Sequence, residues 1–298
     1  MLLEDVKKLP VMERLCYFIR ERQQVYLKRK AGIRKPWTDD IIIQTCYFCN
    51  IRREQDKTTE WVDKHIREPL ANRPEVAFAV LAFRWFNYIP TGEVLLQNDG
   101  AVPSTDKILK SVLCKWDAAK IKKLLANQKQ IFTGAFTISP SGSTKPKLDR
   151  VIDDYIQPVW EHRKVLYSMA ECSYLWSAFN VLSRFPGMAG GGFMAAQVIA
   201  DLRYTYMLDE AKDAKTWCCL GPGSTRGLNR LLGRPVDSPR PSDWQDQMVT
   251  VQDILNEKLR LVPKLHMQDC QNCLCEFSKY ERVLWAQGKS KRKYNGTL

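Results

Sequence analysis

A glycine-rich turn followed by two arginines is the stretch of this sequence best suited to chemistry. Residues 221–224 read Gly-Pro-Gly-Ser, and Arg226 and Arg230 follow, four residues apart. A helix that begins at such a turn offers unpaired amide N–H groups and the positive end of its dipole, and side chains four residues apart project from one face. The alternative is a capped helix start with arginines that face solvent. We predict that five residues bind a phosphate or pyrophosphate: Gly221, Gly223, Ser224, Arg226 and Arg230.

Two further blocks mix charged and aromatic residues. Near the N-terminus, acidic and basic side chains occur among aromatic and apolar ones, which favours a polar network in a cleft over a plain solvated face. The residues concerned are Asn50, Arg53, Glu54 and Asp56. The second block, near the C-terminus, reads Cys-Glu-Phe-Ser-Lys-Tyr and contains Glu276, Lys279 and Tyr280.

A proline and a run of glycines separate two predicted helices, over 169–183 and from residue 192 onwards. Proline ends the first helix, and glycines permit positive φ with exposed amides that suit a DNA phosphate. The turn Phe-Pro-Gly-Met resembles the helix-hairpin-helix of the DNA glycosylase superfamily, although Ala189 stands where that family has its second glycine. The resemblance implies DNA contacts at Gly187, Ala189, Gly190, Gly191 and Gly192. The alternative is an ordinary helical hairpin.

The elements that must position these residues are mostly helices. Apolar periodicity predicts helices over 11–30, 38–53, 72–88, 106–130 and 151–183, and another over 244–259. The sequence of residues 131–147 instead predicts a short extended piece and a loop. We therefore expect a mostly α fold, and the resemblance of the hairpin implies that it is of the helix-hairpin-helix glycosylase type. Its two parts, 1–150 and 151–298, are expected to pack as one compact unit.

Composition and charge indicate which class of molecule the protein binds. The 298 residues carry 46 Lys and Arg against 33 Asp and Glu, a net charge of +13, which predicts an anionic partner, nucleic acid before membrane lipid. The longest apolar run, residues 76–83, is far shorter than the roughly 20 residues of a spanning helix. The start of the chain lacks the apolar centre of a secretory signal. We expect a cytoplasmic protein with reduced cysteines and no membrane partner.

Cofactor chemistry is not expected. Only three histidines occur, with no two close together, and Cys270, Cys273 and Cys275 do not match the four-cysteine spacing of glycosylase iron–sulfur clusters. We predict no metal and no cofactor, with these thiols packed in the protein. The sequence also lacks Gly-x-x-x-x-Gly-Lys-[Ser/Thr], which argues against an ATP-dependent kinase.

Taken in order, five blocks resemble the alpha-glutamyl/putrescinyl-thymine pyrophosphorylase family, amino acid:DNA transferases of hypermodified phage DNA. They are Pro-Trp-Thr-Asp, Phe-x-Asn-x-x-Arg-Glu-x-Asp, the Pro-Gly hairpin, Gly-Pro-Gly-Ser-x-Arg-Gly-Leu and Cys-Glu-Phe-x-Lys-Tyr. The resemblance runs from about residue 18 to residue 294. The helical module is also similar to one found with 5-hydroxymethyluracil DNA kinases. The resemblance implies that an amino acid or polyamine displaces phosphate or pyrophosphate from a phosphorylated 5-hydroxymethyluracil in double-stranded DNA. A 5-hydroxymethyluracil DNA kinase is a further expected partner.

The resemblance also suggests roles for individual residues. In the related glycosylases a catalytic aspartate follows the hairpin, which points to Asp213 as general base or stabiliser, with Asp209 as its rival. Arg53 joins the predicted phosphate ligands. Glu54 and Asp56 are added to the catalytic candidates, and Asn50, Trp217, Glu276, Lys279 and Tyr280 are assigned to the pocket. Two alternatives stay open: a glycosylase that cleaves the N-glycosidic bond, and a non-catalytic DNA-binding partner of the kinase.

Overall fold

Helices provide the regular structure of the chain. The computed structural model describes residues 3–97, 100–134, 136, 138, 143–188, 192–289 and 293–294, and within these ranges it contains helices and no strand. The predicted mostly α class is confirmed. The α-helices are α1 (Leu3–Lys8), α2 (Val11–Lys30), α3 (Ile41–Thr45), α4 (Lys57–Val62), α5 (Glu75–Phe86), α6 (Ile89–Leu96), α7 (Thr105–Lys110), α8 (Ala118–Leu125), α9 (Lys147–Asp149), α10 (Gln157–Glu161), α11 (Arg163–Tyr167), α12 (Leu175–Leu182), α13 (Phe193–Leu202), α14 (Pro222–Leu231), α15 (Trp244–Leu259) and α16 (Met267–Leu284). Short 3₁₀ segments cover Arg53–Gln55 and Ser168–Glu171, and π-helical segments cover Asp63–Arg67 and Arg150–Ile156.

The chain folds into two compact units. Unit 1 is built from both ends of the sequence, Met1–Asp56 and Lys215–Leu298, whereas unit 2 is the continuous segment Lys57–Ala214. The predicted division at residue 150 falls inside unit 2. No helix in the described ranges has the length and apolar character needed to cross a bilayer.

The core of unit 1 forms where α2 packs on α16. Phe18 of α2 lies against Phe277 and Tyr280 of α16, with ring centroids 6.2 and 5.2 Å apart. These rings are almost completely buried, so each contributes about 1.5–3 kcal/mol of hydrophobic stabilisation. Arg14 adds a bidentate ion pair with the buried Glu281, at 2.7 and 3.0 Å. The two termini of the sequence therefore build one hydrophobic core.

Unit 2 is organised around α5, whose side chains from Val76 to Phe86 are all buried. Arg84 on this helix donates two hydrogen bonds to the carboxylate of Asp201 on α13, at 2.5 and 2.8 Å. Both side chains are almost fully buried, so each charge depends on the other for compensation. This ion pair joins α5 to α13, the second helix of the predicted hairpin.

Several helices are shorter than the periodicity predicts, because capping side chains interrupt the pattern. Asp40 accepts hydrogen bonds from the amides of Ile42 and Ile43 and begins α3, which ends at Thr45. Asp117 likewise accepts from the amide of Lys120 and begins α8 in the middle of the predicted helix 106–130. The described part of residues 131–147 contains no strand. In this segment the ring of Phe132 stacks on that of Phe86, with the centroids 5.5 Å apart.

Candidate functional site

An open cleft in unit 1, of about 640 Å³, gathers cationic side chains from α14 and α16. Its size is within the range of small-molecule binding sites. Four cations and two acids are among the lining residues: Arg226, Arg230, Lys279, Arg282, Glu276 and Asp237. Three of these cations were predicted, and Arg282 was not, although it follows Lys279 by three residues on the same helix. The formal balance of four positive against two negative charges makes the cleft suited to an anion.

Two glycines allow α14 and α16 to approach closely enough to form this cleft. A methyl group at Gly223 would lie 2.4 Å from the Sγ atom of Cys275, and one at Gly227 would lie 2.3 Å from the carbonyl oxygen of Leu274. Because the second contact is with backbone, it cannot be relieved by a side-chain rotation. Gly223 and Gly227 of the Gly-Pro-Gly-Ser-Thr-Arg-Gly block therefore allow the two helices to come together. Gly223 also lines the cleft.

Three of the four cations of the cleft have a weak or easily exchanged partner. Arg226 donates to Asp237 at 2.8 Å, but both side chains are at least half exposed, and such pairs contribute little. Arg230 donates to the amide oxygen of Gln287 at 2.7 Å, and Arg282 donates to the carbonyl oxygen of Lys289. Burial lowers the pKa of the Arg230 guanidinium. A partly desolvated cation of this kind gains more from a bound anion than one in water does.

Glu276 connects the cleft to the loop after α3. Its carboxylate accepts from Lys279 at 2.6 Å and from the amide of Cys49 at 3.1 Å. The neighbouring Asn50 donates to the carbonyl of Gln55, and its own carbonyl accepts from Asn272 of α16. The structure therefore brings the N-terminal and C-terminal polar blocks into contact.

The other residues of the N-terminal block lie in the same loop. The backbone amide of Arg53 donates to Asp269 at 3.2 Å, and Asp56 accepts from the amide of Asn50 at 3.4 Å. Arg53, Glu54 and Asp56 are partly exposed, and the cleft described above is lined by other residues.

Three residues predicted for the phosphate site or pocket are buried. Ser224 is fully buried, and its hydroxyl donates to the carbonyl of Gly221, the residue before α14, and accepts from Gln271. Tyr280 donates to the buried carboxylate of Asp40 at 2.6 Å, and burial raises the pKa of the phenol. Trp217 is also buried. Asp40, which sequence reasoning missed, holds Tyr280 while it caps α3.

Two of the four carboxylates predicted to be catalytic, Asp213 and Asp209, belong to unit 2, whereas Glu54 and Asp56 belong to unit 1. Both oxygens of Asp213 accept backbone hydrogen bonds, from Leu175 at 2.6 Å and from Trp176 at 3.1 Å, and so cap the start of α12. Asp209 is exposed. Cap residues stabilise helix ends through such hydrogen bonds. Asp213 therefore has a structural role that its position in the sequence did not reveal.

Helices α12 and α13 lie on either side of the turn that was predicted to form a hairpin. Gly187 and Gly192 adopt φ of +73° and +65°, as the sequence suggests. A methyl group at Gly187 would lie 2.8 Å from the rings of Trp85 and Tyr155, so this glycine also serves packing. The other three predicted contacts, Ala189, Gly190 and Gly191, lie outside the described residues.

The three cysteines near the C-terminus lie in two different environments. Cys270 and Cys273 are buried in the core of unit 1, and Cys275 lines the cleft. Burial raises the pKa of all three thiols, to about 11 for Cys275. In the part of the chain that the structure describes, no three His, Cys, Asp or Glu side chains are grouped so as to hold a metal ion.

A comparison with protein families relates the chain to known proteins. Residues 9–290 match the protein family described as the helical domain of 5-hmdU DNA kinase. No curated protein matches the chain, and no solved structure does. The family match links the chain to the metabolism of hypermodified DNA bases. Since it covers nearly the whole sequence, the protein belongs to the 5-hmdU DNA kinase helical domain family.

Proposed function

We propose that the protein is an amino acid:DNA transferase that acts on thymine derivatives in DNA. In this proposal it binds DNA carrying 5-phosphomethyl- or 5-pyrophosphomethyl-deoxyuridine and joins an amino acid or amine to the 5-methylene carbon. The family membership supports the class of substrate. The observation that carries the proposal is the cationic cleft of unit 1, since displacement of a phosphate needs a site that stabilises the departing anion.

The reaction assigns a task to each part of the cleft. The amine nitrogen forms a bond to the 5-methylene carbon, the carbon–oxygen bond breaks, and phosphate or pyrophosphate leaves with the bonding electrons. Arg226, Arg230 and Lys279 would donate charge-assisted hydrogen bonds to that anion. The ammonium formed must lose a proton to a base. Glu276, one of the two acids that line the cleft, is the candidate for this role in unit 1. Asp213 and Asp209 of unit 2 stay predictions from the resemblance.

One incubation tests the proposal. DNA with 5-phosphomethyl- or 5-pyrophosphomethyl-uracil is mixed with glycine, glutamate or putrescine, digested to nucleosides and analysed by mass spectrometry. We expect a mass gain that corresponds to one amine in place of the phosphate group. Arg226→Ala and Lys279→Ala should lower the yield at least tenfold, whereas Lys120→Ala, at an exposed position of unit 2, should leave it unchanged. Abasic sites in place of the mass gain would instead support a glycosylase.

A second candidate is a non-catalytic subunit that presents modified DNA to a kinase. It is favoured by the capping role of Asp213, whose two oxygens are both engaged by backbone amides. In that case the nucleosides would stay unchanged with every amine and both phosphorylated substrates. The chain would still bind phosphorylated DNA more tightly than unmodified DNA, and Arg226→Ala would reduce that preference.

A further inference from the structure

A second group of cationic side chains in unit 1 lies at the end of α2. Residues 28–35 read Lys-Arg-Lys-Ala-Gly-Ile-Arg-Lys, five cations and no acid. Lys28, Arg29 and Lys30 occupy the last turn of the helix, where they offset its dipole. That explanation does not extend to Arg34 and Lys35, which follow the helix and are exposed.

Aromatic side chains from both ends of the sequence border these cations. Tyr294 is fixed beside α3 by a hydrogen bond from its amide to the carbonyl of Thr45, at 2.9 Å. Its ring centroid is 6.3 Å from that of Trp37, and the Lys35 ammonium lies over both rings, at 5.4 Å from Trp37 and 6.0 Å from Tyr294. We call residues 28–37 together with Lys293 and Tyr294 the basic ridge.

The basic ridge is a surface and not a pocket. A cavity beside Trp37 and Tyr294 measures only about 90 Å³, well below the roughly 300 Å³ of the smallest typical ligand sites. The ridge shares no lining residue with the cationic cleft. Cations that can follow a phosphate backbone, next to aromatic rings on which bases can stack, are the features that bind single-stranded nucleic acid. Duplex DNA hides its base faces and would use only the cations.

We propose that the basic ridge binds single-stranded DNA, or a strand locally opened around the modified base, through its cations and a base stacked on Tyr294 or Trp37. This proposal rests on the part of the proposed function that makes DNA the substrate. It does not require that the protein catalyses the transfer reaction. Leu27 and Ile33, which are 45% and 51% exposed, lie among the same cations. Because cations with exposed apolar residues also occur in proteins that bind anionic membranes, lipid vesicles form one arm of the test.

The test measures binding of an unmodified single-stranded oligonucleotide to the full chain. Lys30→Glu/Arg34→Glu should weaken binding at least tenfold. It should also reduce the slope of log affinity against log salt by about 1.4, since each lost contact with a single strand removes about 0.7. The matched control is Lys120→Glu/Lys123→Glu, which makes the same charge change at exposed positions of unit 2. Equal effects of the two double variants would overturn the proposal.

Stacking is tested with 2-aminopurine in the oligonucleotide. Tyr294→Ala should weaken binding on the order of tenfold and remove part of the fluorescence change, whereas Tyr294→Phe should preserve both. Identical behaviour of the two variants would show that no base stacks on Tyr294. The vesicle arm uses phosphatidylserine vesicles with the wild type and the Lys30→Glu/Arg34→Glu variant. If the vesicles bind only the wild type while both proteins bind DNA with the same affinity, the proposal is also overturned.

A further measurement separates this proposal from the function proposed for the cleft. The affinity for 5-phosphomethyluracil DNA divided by that for unmodified DNA reports on the cleft alone. The ridge variants should leave this ratio unchanged, and Arg226→Ala should lower it. A wild-type ratio of one would contradict the proposed function and leave the ridge result standing.

Discussion

At the scale of single residues, Cys275 reports on the cationic cleft. Its thiol lines the cleft, and burial, with a smaller effect of Glu276, raises its pKa to about 11. At pH 8 only about one thiol in a thousand is then ionised, and the thiolate is the reactive form. We predict slow alkylation of Cys275 by iodoacetamide at pH 8 and a rate that rises steadily towards pH 11. Peptide mass spectrometry measures both rates.

Pyrophosphate provides the control for this prediction. Added at millimolar concentration, it should slow the labelling of Cys275 and leave that of Cys46, which does not line the cleft, unchanged. Rapid labelling of Cys275 at pH 7 would contradict the described burial. Equal protection of both cysteines would show that the anion does not act through the cleft.

Residue types alone predicted most of the charged side chains of the cleft, including Glu276, better than its hydroxyl group. Arg226, Arg230 and Lys279 line one cleft, because long side chains on facing helices reach a shared space. Ser224 is on the same helix but faces α16, so its hydroxyl is used inside the unit. Which face of α14 is buried depends on its packing partner α16, whose Gln271 is 47 residues from Ser224 in the sequence, and no local pattern encodes that partner.

At the scale of elements, the packing of α14 on α16 depends on Gly227. A methyl group there would lie 2.3 Å from the carbonyl oxygen of Leu274, and overpacking of this kind costs about 1–3 kcal/mol. We predict that Gly227→Ala lowers the free energy of unfolding by that amount in urea titrations. Gly221→Ala is the matched control, since a methyl group at Gly221 meets nothing within 4 Å. Equal stability of the two variants would contradict the close approach of the helices.

The start of α12 depends on Asp213. Loss of a capping carboxylate costs about 0.5–2 kcal/mol, so Asp213→Ala should destabilise the protein by about 1 kcal/mol. Asp213→Asn keeps one side-chain oxygen as acceptor and should cost less. Thermal unfolding followed by circular dichroism gives both values. A stable Asp213→Ala variant without transfer activity would instead favour the catalytic role predicted from the sequence.

Helix boundaries were predictable where they depend on local signals. The predicted limits 11–30 and 244–259 agree with α2 and α15, whose apolar periodicity is regular and whose ends carry turn residues. The prediction over 38–53 was too long, because the chain leaves α3 at Cys46 in an extended conformation. The capping of α12 by Asp213 could not be predicted, since it joins residues 37 and 38 positions apart.

At the scale of the whole molecule, the two units carry very different charges. Unit 1 contains 26 Lys and Arg against 16 Asp and Glu, a net +10, whereas unit 2 contains 20 against 17, a net +3. The net charge of +13 therefore belongs mainly to the unit that contains the cleft and the basic ridge. Electrostatic attraction to the DNA backbone scales with the number of phosphates neutralised.

This asymmetry predicts the behaviour of unit 2 on its own. Because residues 57–214 are continuous and contain the buried α5, we expect this segment to fold alone, with a helical circular dichroism spectrum and cooperative unfolding. It should bind DNA at least tenfold more weakly than the full chain and with a smaller salt dependence. Fluorescence anisotropy across a salt series measures both quantities. Full affinity in the isolated segment would instead assign DNA binding to unit 2, whose hairpin was predicted to contact DNA at Gly187 and Gly192.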